Sequence, residues 1–286
     1  MATTHTIAVC SYNMAATIEE SLRSMLDQIE DEAGFELLVV DDSTDRTPRI
    51  LDRLTDAYDS LRVVRGDNDN LAEARNQSFR EAGGEYVLES LDVDDQYGEG
   101  ILDFVTVYHQ LESQLDFRFF LKGKSINMAP RQLLLEVPYR SMGYGEDRDL
   151  WRRLFLREAI LWLDHEQFSR PIGYEPEFRD RLRISFDMKV ADFRSGITLA
   201  SYLRWCFDAP RVQKILYYLT LALPAYAVAL VRGRYGIASP FDRMGALEER
   251  IDEQSKTFTE IEHAYDVTID RTELSDRGYE IFYENV

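Results

Sequence analysis

Residues 70–95 read NLAEARNQSFREAGGEYVLESLDVDD, a helix, a glycine break and a strand that ends among carboxylates. Asn70 is placed to cap a helix whose inner stripe would hold Leu71, Ala74, Ser78, Phe79 and Ala82, and Gly83-Gly84 stops it. Glu85 to Leu91 then has the composition of a strand, and Asp92-Val93-Asp94-Asp95 follows at once. Carboxylates crowded at the carboxyl end of a parallel strand repel one another, and they lie where open α/β sheets bind ligands. A hard cation such as Mg²⁺ or Mn²⁺ would relieve the repulsion and can share such oxygens with substrate phosphates, which suggests a metal-diphosphate site. A solvated acidic turn would read the same way.

Working outward, strand and helix take turns. Thr6 to Cys10 is a short buried strand, followed by a helix in which Thr17 and Glu20 have capping-box spacing. Phe35 to Val40 is a second strand and runs into Asp41-Asp42-Ser43-Thr44-Asp45. Thr47-Pro48 opens the next helix, and Leu61 to Val64 is a third strand. This alternation predicts an α/β protein with one mostly parallel, Rossmann-like sheet covered on both faces. Further on, a helix is expected over 101–115 and a strand over 117–121. A glycine-rich loop from Gly143 would lead into a helix at Asp149, with Glu146 and Asp147 near its N-terminus. There the helix dipole favours the charged carboxylate, whether the pair does chemistry or only caps the helix.

Composition narrows the class. The chain has 286 residues, 45% of them hydrophobic, and a formal charge of −19, which supports a substantial core and argues against nucleic-acid partners. Only five of the 33 basic residues are lysine, a bias that with the acidity fits a protein of a salt-rich cytoplasm. Four histidines, none at ligand spacing, argue against zinc. Cys10 and Cys206, with no signal peptide before the first strand, are expected to be free thiols.

After His165 the character changes. Between Ser169 and Lys214 basic residues outnumber acidic ones nine to six, and Ile215 to Val231 carries no charge, although Pro224 is expected to break it. Arginines or lysines on both flanks favour a shallow hairpin or an in-plane helix at the cytoplasmic face over a crossing; a core helix or a dimer interface is the alternative. The tail beyond Tyr235 is strongly acidic, and Met244, Leu247 and Ile251 have helical spacing. The expected organisation is a catalytic domain over 1–165, a basic and apolar membrane-proximal region over 166–234, and an acidic helical tail over 235–286. The oligomeric state is not legible.

Five elements, in order, resemble the family 2 glycosyltransferases of the GT-A fold: Ser11-Tyr12-Asn13, VVDDSTD at 39–45, ARN at 74–76, LDVDD at 91–95 and GEDRDLW at 145–151. The resemblance spans about 6–163. It implies a nucleotide-sugar (UDP or GDP) site in which Asp42 meets the base, the Tyr12 region frames it, Arg75 contacts base or phosphate, and Asp92 meets the ribose. It also implies that Asp94, with Asp95, holds Mg²⁺ or Mn²⁺ on the diphosphate, and that Asp147 takes the acceptor proton beside Glu146, inverting the anomeric carbon. Arg75 pairing with Asp41 or Asp92 is the structural alternative. The Gln-x-x-Arg-Trp element of processive synthases is missing, so single transfer is expected. The C-terminal third is not general family sequence. The chain resembles haloarchaeal membrane-associated glycan-assembly transferases, and the basic character and apolar run of its C-terminal helical extension suggest a membrane surface and a lipid-linked (polyprenyl or dolichol phosphate) glycan as acceptor. A soluble or non-glycan acceptor, a nucleotidyltransferase and a non-catalytic scaffold are the alternatives; a phosphorelay receiver is disfavoured because its aspartate pair should follow the first strand.

Overall fold

A computed structural model describes residues 3–173, 178–207, 212–235 and 255–284. Contacts divide the chain into two compact units, one of Met1–Pro138, Arg157–Tyr174 and Ser255–Val286, the other of Tyr139–Leu156 and Glu175–Gln254. This division cuts across the boundaries at 165 and 234 drawn from the sequence.

The first unit is built on strands β1 (His5–Ser11), β2 (Phe35–Asp41), β3 (Leu61–Arg65) and β4 (Tyr86–Glu89), with helices α1 (Ile18–Ile29), α2 (Thr47–Thr55) and α3 (Leu71–Glu81) between them. All four strands are parallel neighbours in the order β3-β2-β1-β4. Such crossovers leave the central strands covered on both faces, so β1 and β2 are almost continuously apolar, with Ile7, Val9, Leu37 and Val39 fully buried. Register fixes charge as well as packing. β2 and β3 pair Asp41 with Arg65, and that guanidinium forms an ion pair with the buried Asp41 carboxylate.

The remaining strands, β5 (Asp95–Tyr97), β6 (Phe120–Lys122), β7 (Asn127–Pro130), β8 (Ile160–Leu163), β9 (Ser169–Pro171) and β10 (Ser255–Lys256), complete two sheets. β7 runs antiparallel between β4 and β6, β8 and β10 continue the main sheet parallel to β6, and β5 pairs antiparallel with β9 in a sheet of two. The main sheet is therefore mostly parallel, as expected. Helices α4 (Ile101–Glu112) and α5 (Arg131–Glu136) also belong to this unit.

Several local expectations change. Asn70 does cap α3, its side chain accepting the Glu73 N–H at 3.2 Å, and Gly84 is required because a Cβ there would lie 2.8 Å from the backbone of β1. Leu71, however, is exposed, and Ala72 takes its place on the buried stripe. Thr17 makes no side-chain cap, since it enters α1 from a turn closed by bonds to the Met14 carbonyl rather than from extended backbone. At α2 the capping oxygen belongs to Asp45, which accepts the Thr47 N–H at 2.8 Å.

The second unit holds α6 (Glu146–Phe155), α7 (Phe178–Arg194), α8 (Leu199–Phe207) and α9 (Val212–Arg232). Its small core joins Val190, Phe193 and Tyr202 to Ala222, Ala225 and Ala229. α9 continues through Pro224 instead of breaking there. Among the described residues no helix is long and apolar enough to cross a membrane. The helical spacing of Met244, Leu247 and Ile251 lies outside the described residues.

Candidate active site

The carboxyl ends of β1 and β2 are tied together by a residue expected to contact ligand. Asn13 has a left-handed backbone (φ 56°), which asparagine tolerates better than most residues, and its Oδ1 accepts the N–H groups of Thr44 at 2.9 Å and Asp45 at 3.2 Å. Its own N–H donates to Ser43 Oγ at 2.7 Å. Asn13 thus shapes the site as a splint between two loops. The Ser11 carbonyl accepts the Asp42 N–H at 3.0 Å, and Tyr12 between them stands exposed.

Asp42 is held by a residue that no sequence pattern had marked. Its Oδ1 accepts the Asn68 N–H at 3.0 Å and its Oδ2 accepts Asn68 Nδ2 at 3.1 Å, while the same amide reaches Gln77 Oε1 at 2.7 Å. Gly66 makes room for this arrangement, since a Cβ there would fall 2.3 Å from Asp42 Oδ1 and 2.5 Å from Asn68 Nδ2.

Asp42, Arg75, Glu89 and Asp92 all act on Cys10, whose free thiol is pushed up to about 12, first by loss of hydration and then by these charges, with Arg75 opposing the carboxylates. A thiol so placed is inert as a nucleophile at neutral pH. The same coupling shows that the ends of β2, α3 and β4 converge around the end of β1. Arg75 stands 4.0 Å from Asp92, the outer limit of an ion pair, while Asp41 is taken by Arg65.

Past β4 the chain turns through Ser90, which has a left-handed backbone (φ 68°), into the carboxylate cluster. The Asp92 side chain is 61% exposed, yet loss of hydration raises its carboxyl to about 6, opposed by Arg75 and reinforced by Asp94, Asp95 and Glu89. Asp95 is also raised, by loss of hydration and by Asp94, against the hydroxyl of Ser169, which donates to its Oδ2 at 2.9 Å across the β5–β9 pair. Buried Tyr97 accepts the Asp92 N–H through its hydroxyl at 2.7 Å. Beneath the cluster, buried Glu89 accepts Asn127 Nδ2 at 2.6 Å.

Among the described residues no three His, Cys, Asp or Glu side chains are arranged to hold a metal ion by themselves. The donor set still suits a cation shared with a ligand. Mg²⁺ and Mn²⁺ sites commonly use one or two carboxylates plus substrate phosphates instead of an all-protein cage, and the mutual repulsion of Asp92, Asp94 and Asp95 is what such an ion would relieve.

Glu146 and Asp147 open α6 in the second unit, within the helix and not in the loop before it. Gly145, left-handed at φ 77°, precedes them. Glu146 is buried, and Asp147 Oδ1 accepts the Arg148 N–H at 2.7 Å. The rest of α6 is anchored by two buried aspartates. Asp149 pairs with Arg140 at 2.9 Å and Arg153 at 2.8 Å, and Asp192 of α7 pairs with Arg148 at 3.3 Å and Arg152 at 3.1 Å. Two lysines of the first unit are engaged: Lys122 Nζ lies 3.7 Å from the centre of the Trp162 ring, and Lys124 pairs with Asp164 at 2.5 Å.

Residues 6–112 match the model of Glycosyl transferase family 2. Among solved structures, S. aureus TarS 1–349 in complex with UDP-GlcNAc is similar at a TM-score of 0.51 and 17% identity, over 82% of this chain and 93% of that one. The chain spans 56% of the longer S. aureus TarS structure. Mannosyltransferase PcManGT from Pyrobaculum calidifontis, in complex with GDP-Man and Mn²⁺, is similar at 0.50 and 18%, over 88% and 80%. Glucosyl-3-phosphoglycerate synthase from Mycobacterium tuberculosis, with Mn²⁺, UDP and glucosyl-3-phosphoglycerate, is similar at 0.51 and 19%, over 65% and 78%. Comparison with curated proteins finds no match. The sheet, the acidic strand ends and the matched segment define the class: this is a glycosyltransferase of the GT-A fold, whose residues 6–112 match the family 2 model.

Proposed function

We propose that the protein transfers one sugar, with inversion, from a UDP- or GDP-sugar to a lipid-linked glycan acceptor at the cytoplasmic face of a membrane, in assembly of a surface or protein-linked glycan. The donor half of this reading is supported by the convergence of Asp42, Arg75 and Asp92 around Cys10 at the carboxyl ends of adjacent parallel strands, the place where open α/β sheets bind nucleotides. Asp42, held at fixed orientation by Asn68, accepts a base N–H, the open Tyr12 ring lies against the base, and Asp92 meets the ribose. Arg75 offers a rigid cationic fork to base or phosphate. Asp94, with Asp95, would hold Mg²⁺ or Mn²⁺, which when bound neutralises charge on the departing diphosphate. Asp147, with Glu146 beside it, takes the acceptor proton, a role that rests on the resemblance of GEDRDLW to the family element.

The acceptor half rests on the second unit, where basic residues flank the uncharged run Ile215 to Val231 in sequence. The test is transfer by the full chain from UDP- and GDP-sugars to polyprenyl-phosphate glycans, with mass spectrometry of the lipid product and assignment of its anomer. A lipid product with inverted linkage is expected; transfer only to a water-soluble acceptor would overturn the acceptor assignment and leave the enzyme class intact.

A further inference from the structure

Over its described side chains, residues 220–232, α9 carries apolar residues on two opposite sides, one packed and one open. Ala222, Ala225 and Ala229 are buried against α7 and α8, with Tyr226 edge-on to Phe193 at a ring separation of 5.2 Å. The opposite side is apolar as well, and open: Leu223 is 56% exposed, Leu230 64% and Val231 89%, with Pro224 and Ala227 exposed beside them. At 3.6 residues per turn these five positions fall within an arc of about 120°. A helix stabilised only by its own unit would turn polar residues there. Isolated exposed leucines need no explanation, but a continuous stripe does.

The charges around the stripe select its occupant. Arg232 and Arg234 are exposed at its C-terminal end, in a chain whose formal charge is −19. The C-terminal ends of α7 and α9 are tied together, since the Tyr235 N–H donates to the Arg194 carbonyl at 2.9 Å and Arg194 Nε donates to the Gly233 carbonyl at 2.9 Å. A second copy packed parallel along this stripe would set Arg232 and Arg234 against their own counterparts. An anionic lipid surface would instead attract both arginines and take the apolar side chains into its acyl boundary. We infer that the Leu223, Leu230 and Val231 face of α9 is a membrane-docking surface that lies in the plane of an anionic bilayer, with Arg232 and Arg234 at headgroup level. The inference deepens the proposed lipid-linked acceptor, since an enzyme that takes a polyprenyl phosphate must reach the headgroup layer.

The test uses purified full-length protein and sedimentation with vesicles of phosphatidylcholine alone or mixed with phosphatidylglycerol, with neither glycan acceptor nor nucleotide sugar present. At low salt the protein should partition onto anionic vesicles roughly tenfold more strongly than onto neutral ones. The triple change Leu223→Ser, Leu230→Ser, Val231→Ser should weaken partition by roughly tenfold or more at low and at high salt. Arg232→Gln with Arg234→Gln should weaken it by roughly tenfold at low salt only. Val231→Trp, which leaves the buried face of α9 untouched, should strengthen binding and keeps the test decisive where the triple variant does not fold. Vesicle binding that is unchanged by all these variants would overturn the inference. So would a concentration-dependent dimer that the triple variant dissociates while the wild type ignores vesicles. Because no sugar is transferred in this assay, its failure leaves the donor reading standing, and a variant without turnover that still binds vesicles would separate the two in the other direction.

Discussion

Asn68 and Gly66 decide how Asp42 is presented, and neither carries any chemistry of its own. A carboxylate that accepts two bonds from one asparagine has lost its rotational freedom, so under the proposed role a base N–H would meet it without a further ordering cost. Replacing Asn68 with Ala should raise the donor KM by up to roughly tenfold and change kcat by less than about twofold, because a net bond of about 1 kcal/mol is lost from binding alone. Gly66→Ala should do more harm at the same site. Its Cβ cannot coexist with the Asp42 carboxylate, yet the displaced groups are side-chain ends, so the fold should survive. Donor titration alongside thermal unfolding checks both: weakened binding with a Tm within about 2 °C of wild type is expected. At this scale the sequence showed which residue types could bind a nucleotide and metal, since Asp42, Arg75 and the Asp92–Asp95 cluster are local patterns. It could not show Asn68, Ser169 or Asn127, because each reaches its carboxylate from another element, and no spacing in the chain announces such a meeting.

Among the elements, β1 carries a second polar chain at the end opposite the site. Thr4 Oγ1 lies 2.9 Å from His5 Nδ1, His5 Nε2 lies 2.8 Å from His109 Nε2, and His109 Nδ1 lies 3.0 Å from Glu112 Oε2, which also accepts the Tyr86 hydroxyl at 2.9 Å. A neutral His5 suits this chain, its Nε2 donating to His109 Nε2 while His109 Nδ1 donates to the Glu112 carboxylate. Burial first, and His109 second, lower the His5 pKa to about 4. The unfolded chain takes up that proton near 6.5, so the folded state is favoured fully above about 6.5 and loses this contribution as the pH falls from there towards about 4. Urea unfolding at pH 8 and pH 5 should show a drop in midpoint that His5→Gln reduces; an equal drop in both proteins would refute the assignment. In the second unit, Asp192 neutralises Arg148 and Arg152 inside the protein. Asp192→Ala should cost about 3–5 kcal/mol in that unit, read as faster hydrogen exchange in α6 and α7 with β1 and β2 unaffected. The parallel core strands were legible as apolar runs and α3 as a capped periodic helix. β7 and β10 were not, because an antiparallel insertion and a two-residue edge strand from the tail are set by tertiary pairing.

For the whole molecule, contacts divide the chain into two compact units. The first holds the carboxylates Asp42, Asp92, Asp94 and Asp95 just beyond strand ends, and the second holds the Glu146-Asp147 helix together with the exposed apolar side of α9. The repelling cluster at Asp92, Asp94 and Asp95 is a cost to folding that makes sense only where a ligand later relieves it, so Asp94→Asn should leave stability equal or slightly higher while removing activity. The decisive measurement is release of UDP or GDP from nucleotide sugars by the full chain, with Mn²⁺ or Mg²⁺ and with chelator, in the wild type and in Asp94→Asn. Cation-dependent release that falls by roughly a hundredfold or more in Asp94→Asn is the predicted result. Release that persists in chelator and in Asp94→Asn, or no release from any UDP- or GDP-sugar, would contradict the assignment of this site.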